Sequence, residues 1–166
     1  MKSLADYTSR ELMVPDLQNK APAGVINELC TLLHRKGLIG DLAAFCGAVV
    51  NRELLNSTAI APGWALPHAR LKELTQLSFA LARSLQPLVW FGGGTVRPQL
   101  VFLFAIPETE AKAYLDLIAA LSRLSREAAL CEQLMRAPDS QTMFAVLEQV
   151  PWLTKGSVTT GTCKVR

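Results

Sequence analysis

A single α/β domain, in which a small mixed β-sheet is flanked by helices on both faces, is the fold class that the sequence predicts. Three observations predict it. The 166 residues are half hydrophobic, the size and composition of one globular domain with one sizeable core. Apolar residues recur at helical spacing over two segments, then in short extended runs, then at helical spacing over three more segments. Between the helical segments, Leu100 to Ile106 is continuously apolar, the mark of a central strand covered on both faces.

The elements follow in order. After a mixed N-terminal stretch, Val25, Ile26, Leu29, Leu32 and Leu33 predict a helix that starts after Pro22 and stops before Gly37. Asp41 stands where an N-cap would, and Leu42, Phe45, Cys46, Val49 and Val50 form the buried stripe of a second helix running to about Leu54. From Ser57 to Ala69 the residues Pro62, Gly63 and Pro67 exclude a continuous helix and leave short extended pieces at most. Leu77, Phe79 and Leu81 alternate as in a half-buried strand, and Leu88 to Phe91 reads as another short strand. Pro107 and Glu108 open a helix with Tyr114, Leu117, Ile118, Leu121 and Leu124 on one face. Two short helices follow, one over Glu127 to Arg136, the other starting after Asp139 and Ser140 and ended by Pro151. The domain is thus expected over residues 1–150, with a mobile tail over 151–166 that is rich in Gly, Ser and Thr.

Charge and cysteine usage exclude several function classes. Seventeen Lys and Arg against fourteen Asp and Glu give a net charge of +3, too slight to argue for nucleic acid as a partner. The excess sits in Lys155, Lys164 and Arg166, so the first 150 residues balance at 14 against 14. Cys30, Cys46, Cys131 and Cys163 lie far apart without a C-x-x-C pair or a histidine at metal-ligand spacing, which fits free thiols in a reducing compartment. Charged residues interrupt any signal-peptide core in the first 24 residues, and no uncharged run approaches the ~18 residues of a membrane span. The expectation is a cytoplasmic protein without membrane insertion.

Only two histidines are present. His34 lies in the last turn of the first helix beside Arg35 and Lys36, where positive side chains meet the helix dipole favourably, and reads as a surface residue. His68 lies in Gly63-Trp64-Ala65-Leu66-Pro67-His68-Ala69-Arg70, where Pro67 stiffens the backbone and Ala69 leaves room beside the ring. Chemistry alone leaves it open between a structural and a reactive histidine. A neutral ring nitrogen can attack phosphorus without a separate base, and the N–P bond it forms is readily broken again. Such a site needs an acceptor that fixes the tautomer, a cradle for the phosphoryl oxygens, and an open face for a docking protein. Arg52 and Arg70 are candidates for the cradle, each with a solvated arginine as the plainer reading. Gly92-Gly93-Gly94-Thr95 lacks the Lys and the spacing of a P-loop and reads as a turn. No G-x-S-x-G, ligand cluster or recognisable carboxylate pair supports a hydrolase or metal site.

Three segments together resemble the type 2 enzyme IIA domain, of the fructose and mannitol class, from the bacterial phosphoenolpyruvate-dependent phosphotransferase system. They are Asn51 to Ile60, with its R-E-x-L and S-T pieces, Gly63 to Arg70, with G-x-A-x-P-H-A, and Leu100 to Pro107. The resemblance extends over roughly residues 10–150 in the order of elements. It implies a mixed sheet with a shallow active site at its edge, His68 as the phosphorylated histidine and Arg52 as the arginine that contacts the phosphoryl group. It also implies a phosphoryl donor, the small carrier HPr or a relative, and a IIB domain as acceptor, with no metal or organic cofactor. A nitrogen-regulatory member, whose phosphorylation state decides which proteins it binds, is the alternative. One departure stands out: Tyr114, before Leu115, takes the place where the family typically has a second histidine. Tyr114 is therefore expected to face His68 and to donate its phenolic hydrogen bond to a phosphoryl oxygen, or else to serve as a core aromatic.

Overall fold

The computed structural model describes residues 2–152. Five α-helices and five strands are present among them, together with short 3-10 turns: β1 (Met13–Val14), α1 (Pro22–Arg35), α2 (Leu42–Leu55), β2 (Trp64–Ala65), β3 (His68–Leu71), β4 (Ser78–Arg83), β5 (Leu100–Pro107), α3 (Ala111–Arg126), α4 (Ala128–Arg136) and α5 (Ser140–Glu148). The sheet is mixed. Its order is β1-β4-β5-β2, with β3 on the same side of β5 as β2. β4 runs antiparallel to β5, whereas β1 is parallel to β4 and both β2 and β3 are parallel to β5.

Local chemistry accounts for the helix limits. Pro22 sits in the first turn of α1, where its missing N–H costs nothing. The Asp41 carboxylate accepts from the Ala44 N–H and caps α2, and Asp139 does the same for α5 through the Thr142 N–H. α3 follows a 3-10 turn over Glu108–Glu110, so the helix opened by Pro107 and Glu108 becomes regular only at Ala111.

All eight residues of β5 are buried, as a continuously apolar central strand requires. β4 departs from the half-buried alternation expected of it, because all six of its residues are buried. Phe79 packs against Phe102 and Phe104 on one face, while the small Ala80 and Ala82 on the other let helix α1 lie close. The strand expected over Leu88 to Phe91 does not form. Pro87 precedes this segment and three glycines follow it, so no ladder can propagate; Leu88 donates a single backbone bond to Pro98, and Phe91–Gly93 is a 3-10 turn with Gly92 and Gly93 at positive φ. Leu88 and Trp90 are nevertheless buried, which is why the segment alternates like a strand.

Two regions hold more structure than the sequence suggests. The mixed N-terminal stretch forms 3-10 turns over Leu4–Tyr7 and Arg10–Leu12 and then β1. The buried Arg83 fastens that stretch, donating to the Pro15 carbonyl at 2.9 Å and to the Leu134 carbonyl at 2.8 Å. Of the residues expected in the tail, Pro151 bridges to Ser3 and the Trp152 ring stacks on Tyr7 with centroids 4.2 Å apart. Residues 153–166 lie outside the described residues. Cys30, Cys46 and Cys131 are free thiols, and Cys163 lies in that outer segment.

Candidate functional site

A cleft of about 530 Å³ opens where the edge strand β3 meets α2 and the start of α3. Ala48 and Arg52 of α2, His68 to Leu71 of β3, Ile106 of β5, and Ala111, Tyr114 and Leu115 line it. Each wall follows from the fold. Pairing of His68 with Phe104 and of Arg70 with Ile106 puts both β3 side chains on the face that α3 covers. Arg52 reaches the cleft from the last turn of α2, where its Nη1 donates to the Asn56 carbonyl at 2.9 Å and holds the helix end.

His68 is half-buried, and its Nδ1 lies 2.9 Å from the Leu66 carbonyl. A carbonyl can only accept, so Nδ1 carries a proton, and in the neutral ring Nε2 keeps the free lone pair. Tyr114 stands beside it with ring centroids 5.5 Å apart, and packs edge-on against Phe104 at 6.2 Å. Burial pushes the Tyr114 phenol above its ordinary range, with the cations Arg52 and Arg70 acting in the opposite sense. The phenol therefore remains a neutral hydrogen-bond donor at neutral pH. His68, Arg52, Arg70 and Tyr114 thus come together from three elements, whereas His34 lies outside the cleft, exposed, with its Nδ1 2.9 Å from the Ile39 carbonyl.

Next to Arg52 in α2, and outside the lining of the cleft, is a buried group that sequence reasoning missed. Glu53 is only 1% exposed, yet its carboxylate accepts from the Thr58 N–H at 2.7 Å, the Thr58 hydroxyl at 2.8 Å and the Trp90 indole N–H at 2.8 Å. A signal was available. Phe45, Val49 and Glu53 stand four residues apart, so a carboxylate continues the buried stripe of α2.

The sequence model of the family described as "Phosphoenolpyruvate-dependent sugar phosphotransferase system, EIIA 2" matches residues 6–150. The chain belongs to this family. Among relatives of this EIIA 2 chain, the fructose-specific EIIABC component of Bacillus subtilis (strain 168) is 28% identical over 146 residues, which are 88% of this chain and 23% of that protein. The EIIA 2 chain therefore spans about a quarter of that relative. A nitrogen regulatory protein of Bradyrhizobium diazoefficiens is 26% identical over 148 residues, 89% of this chain and 96% of that protein. In fold the domain resembles the solved complex of enzyme IIAMTL and phosphorylated enzyme IIBMTL from Escherichia coli, with a TM-score of 0.71, 15% identity, and coverage of 84% of this chain and 95% of that one. Among the described residues of this EIIA 2 domain, no helix is long and apolar enough to cross a membrane, and no three His, Cys, Asp or Glu residues cluster as metal ligands would.

Proposed function

We propose that the chain is a phosphocarrier that takes a phosphoryl group from an HPr-like carrier onto His68 Nε2 and passes it to a IIB domain for sugar uptake. The observation that carries this reading is the bond from His68 Nδ1–H to the Leu66 carbonyl, which leaves Nε2 as the nucleophilic nitrogen of a ring lining an open cleft. In the forward step the Nε2 lone pair forms the new N–P bond as the donor histidine's N–P bond breaks, and the donor ring leaves with that electron pair. The proton stays on Nδ1 throughout, donated in a hydrogen bond to the Leu66 carbonyl. Arg52 and Arg70 offset the phosphoryl charge, and Tyr114 donates one neutral hydrogen bond in the place of a second histidine. Onward transfer repeats the exchange with the acceptor as nucleophile.

The work is done between cytoplasmic proteins, and likeness to a IIA enzyme solved with phosphorylated IIB supports a IIB acceptor. Near end-to-end coverage of a nitrogen regulatory relative favours a second reading, in which phosphorylation of the same His68 selects binding partners. Incubation with phosphoenolpyruvate, enzyme I and HPr, followed by intact mass and site mapping, tests the shared claim. One acid-labile phosphoryl group on His68 is expected; uptake at the normal rate by His68→Ala would refute the assignment. Transfer from the phosphorylated chain to a IIB domain separates the two roles.

A further inference from the structure

We propose that Glu53 and Thr58 set the tautomer and aim of His68, through a hydrogen-bonded relay that runs from Glu53 to Thr58, from Thr58 to Leu66, and from Leu66 to His68. The inference rests on His68 as the phosphoryl acceptor and names residues that prepare it. Neither Glu53 nor Thr58 lines the cleft, so both are positioning residues.

The direction of each bond follows from what its atoms can do. The Leu66 N–H donates to Thr58 Oγ1 at 2.9 Å. A hydroxyl has one proton and two lone pairs, so Thr58 spends a lone pair on Leu66 and keeps its proton for another acceptor. Glu53 is that acceptor, with its two oxygens 2.8 and 3.0 Å from Thr58 Oγ1. An ionised carboxylate accepts only, which fixes the Thr58 hydroxyl in this orientation. Leu66 is thereby held at its N–H, and its carbonyl accepts the hydrogen bond from His68 Nδ1–H two residues on. Were Leu66 free to turn, Nδ1–H would lose its acceptor and the proton could settle on Nε2, removing the lone pair that attacks phosphorus.

Glu53 is an unusual group to find in this position. It is buried on the apolar stripe of α2, and no cationic side chain lies within ion-pair distance of it among the described residues. Neutral donors from Thr58 and Trp90 offset its desolvation. The Trp90 bond ties the segment before β5 to α2 and lies off the line to His68. Trp90 therefore separates a clamp that only holds the fold from a relay that reaches the ring.

The test uses the unphosphorylated protein labelled with ¹⁵N in its histidine rings. In the native chain the ring spectrum of His68 should report the Nδ1–H tautomer. Thr58→Val should raise the Nε2–H share and slow phosphoryl uptake from phospho-HPr by about two- to tenfold, the rate equivalent of one hydrogen bond. Thr58→Ser should restore both. Trp90→Phe should lower the melting temperature and leave the tautomer as it was. If Thr58→Val does not fold, Thr58→Ala removes the same hydroxyl and gives the same reading. A Thr58 variant that only melts earlier, with native tautomer and native uptake rate, overturns the relay. A chain that takes no phosphoryl group from phospho-HPr, but whose tautomer responds to Thr58, overturns the phosphocarrier reading and leaves the relay standing.

Discussion

His34 and His68 make the same hydrogen bond. Each holds its Nδ1 2.9 Å from a backbone carbonyl, Ile39 in one case and Leu66 in the other, so in its neutral form each presents Nε2 with a free lone pair. Their surroundings differ in every other respect. His34 is exposed in the last turn of α1, whereas His68 is half-buried in a cleft whose walls carry Arg52, Arg70 and Tyr114 from three separate elements. A fixed tautomer is thus a local matter that a helix end supplies unaided. A phosphoryl acceptor also needs convergent donors, and these depend on the packing of α2, β3 and α3 around one strand edge.

The largest effect expected from this contrast is in the histidines themselves. His68→Ala should abolish phosphoryl uptake from phospho-HPr, and His34→Ala should leave it unchanged, as read by intact mass over a time course. Loss of uptake in His34→Ala would erase the distinction between the two sites. Next comes Arg52. A charge-assisted contact is worth about 1.5 to 3 kcal/mol, so Arg52→Ala should slow transfer roughly ten- to a hundredfold. Arg52→Lys should recover only part of that, since an ammonium cannot reproduce the planar fork of a guanidinium. Native kinetics in a folded Arg52→Ala protein would remove Arg52 from the cradle.

Tyr114 should matter less, because a neutral hydroxyl contributes one ordinary hydrogen bond. Tyr114→Phe is expected to slow transfer, or hasten hydrolysis of the phosphorylated chain, by about tenfold at most, with thermal stability nearly intact. Identical kinetics would leave Tyr114 as packing against His68 and Phe104. The smallest effect is in pH dependence. Burial raises the Tyr114 phenol above its ordinary range, so the donor form persists throughout neutral and mildly alkaline pH. The ratio of hydrolysis rates between Tyr114→Phe and the native chain should stay flat from neutral pH up to the ordinary phenol range. A ratio that falls towards one within the neutral range would mean that the donor is another group.

What the sequence made legible divides along the same line. His68 stood out because Pro67 and Ala69 flank it inside a motif, and β5 because the seven consecutive apolar residues Leu100 to Ile106 have no other use in a chain of this size. Helices α1 to α5 were readable from spacing and caps. The readings that failed concern partners far away in sequence. Leu88 and Trp90 are buried on either side of exposed Val89, the first joined to Pro98 by one backbone bond and the second bonded to Glu53 through its indole N–H, neither of which a local pattern can distinguish from a strand. β1 has only two residues and exists through its pairing with Leu81 and Ala82, about 70 positions on. Glu53 looked like half of a motif with Arg52, and only the placement of Thr58 and Trp90 shows why a carboxylate is tolerated on a buried stripe.

The central claim is that phosphorus arrives on one particular nitrogen of one histidine. Phosphorylating ring-¹⁵N-labelled protein through HPr and reading the ³¹P–¹⁵N coupling tests it without recourse to kinetics. The account predicts a single phosphohistidine with phosphorus bonded to Nε2 of His68 and a proton still on Nδ1. Phosphorus on Nδ1 of His68, on His34, or on no histidine at all would contradict it.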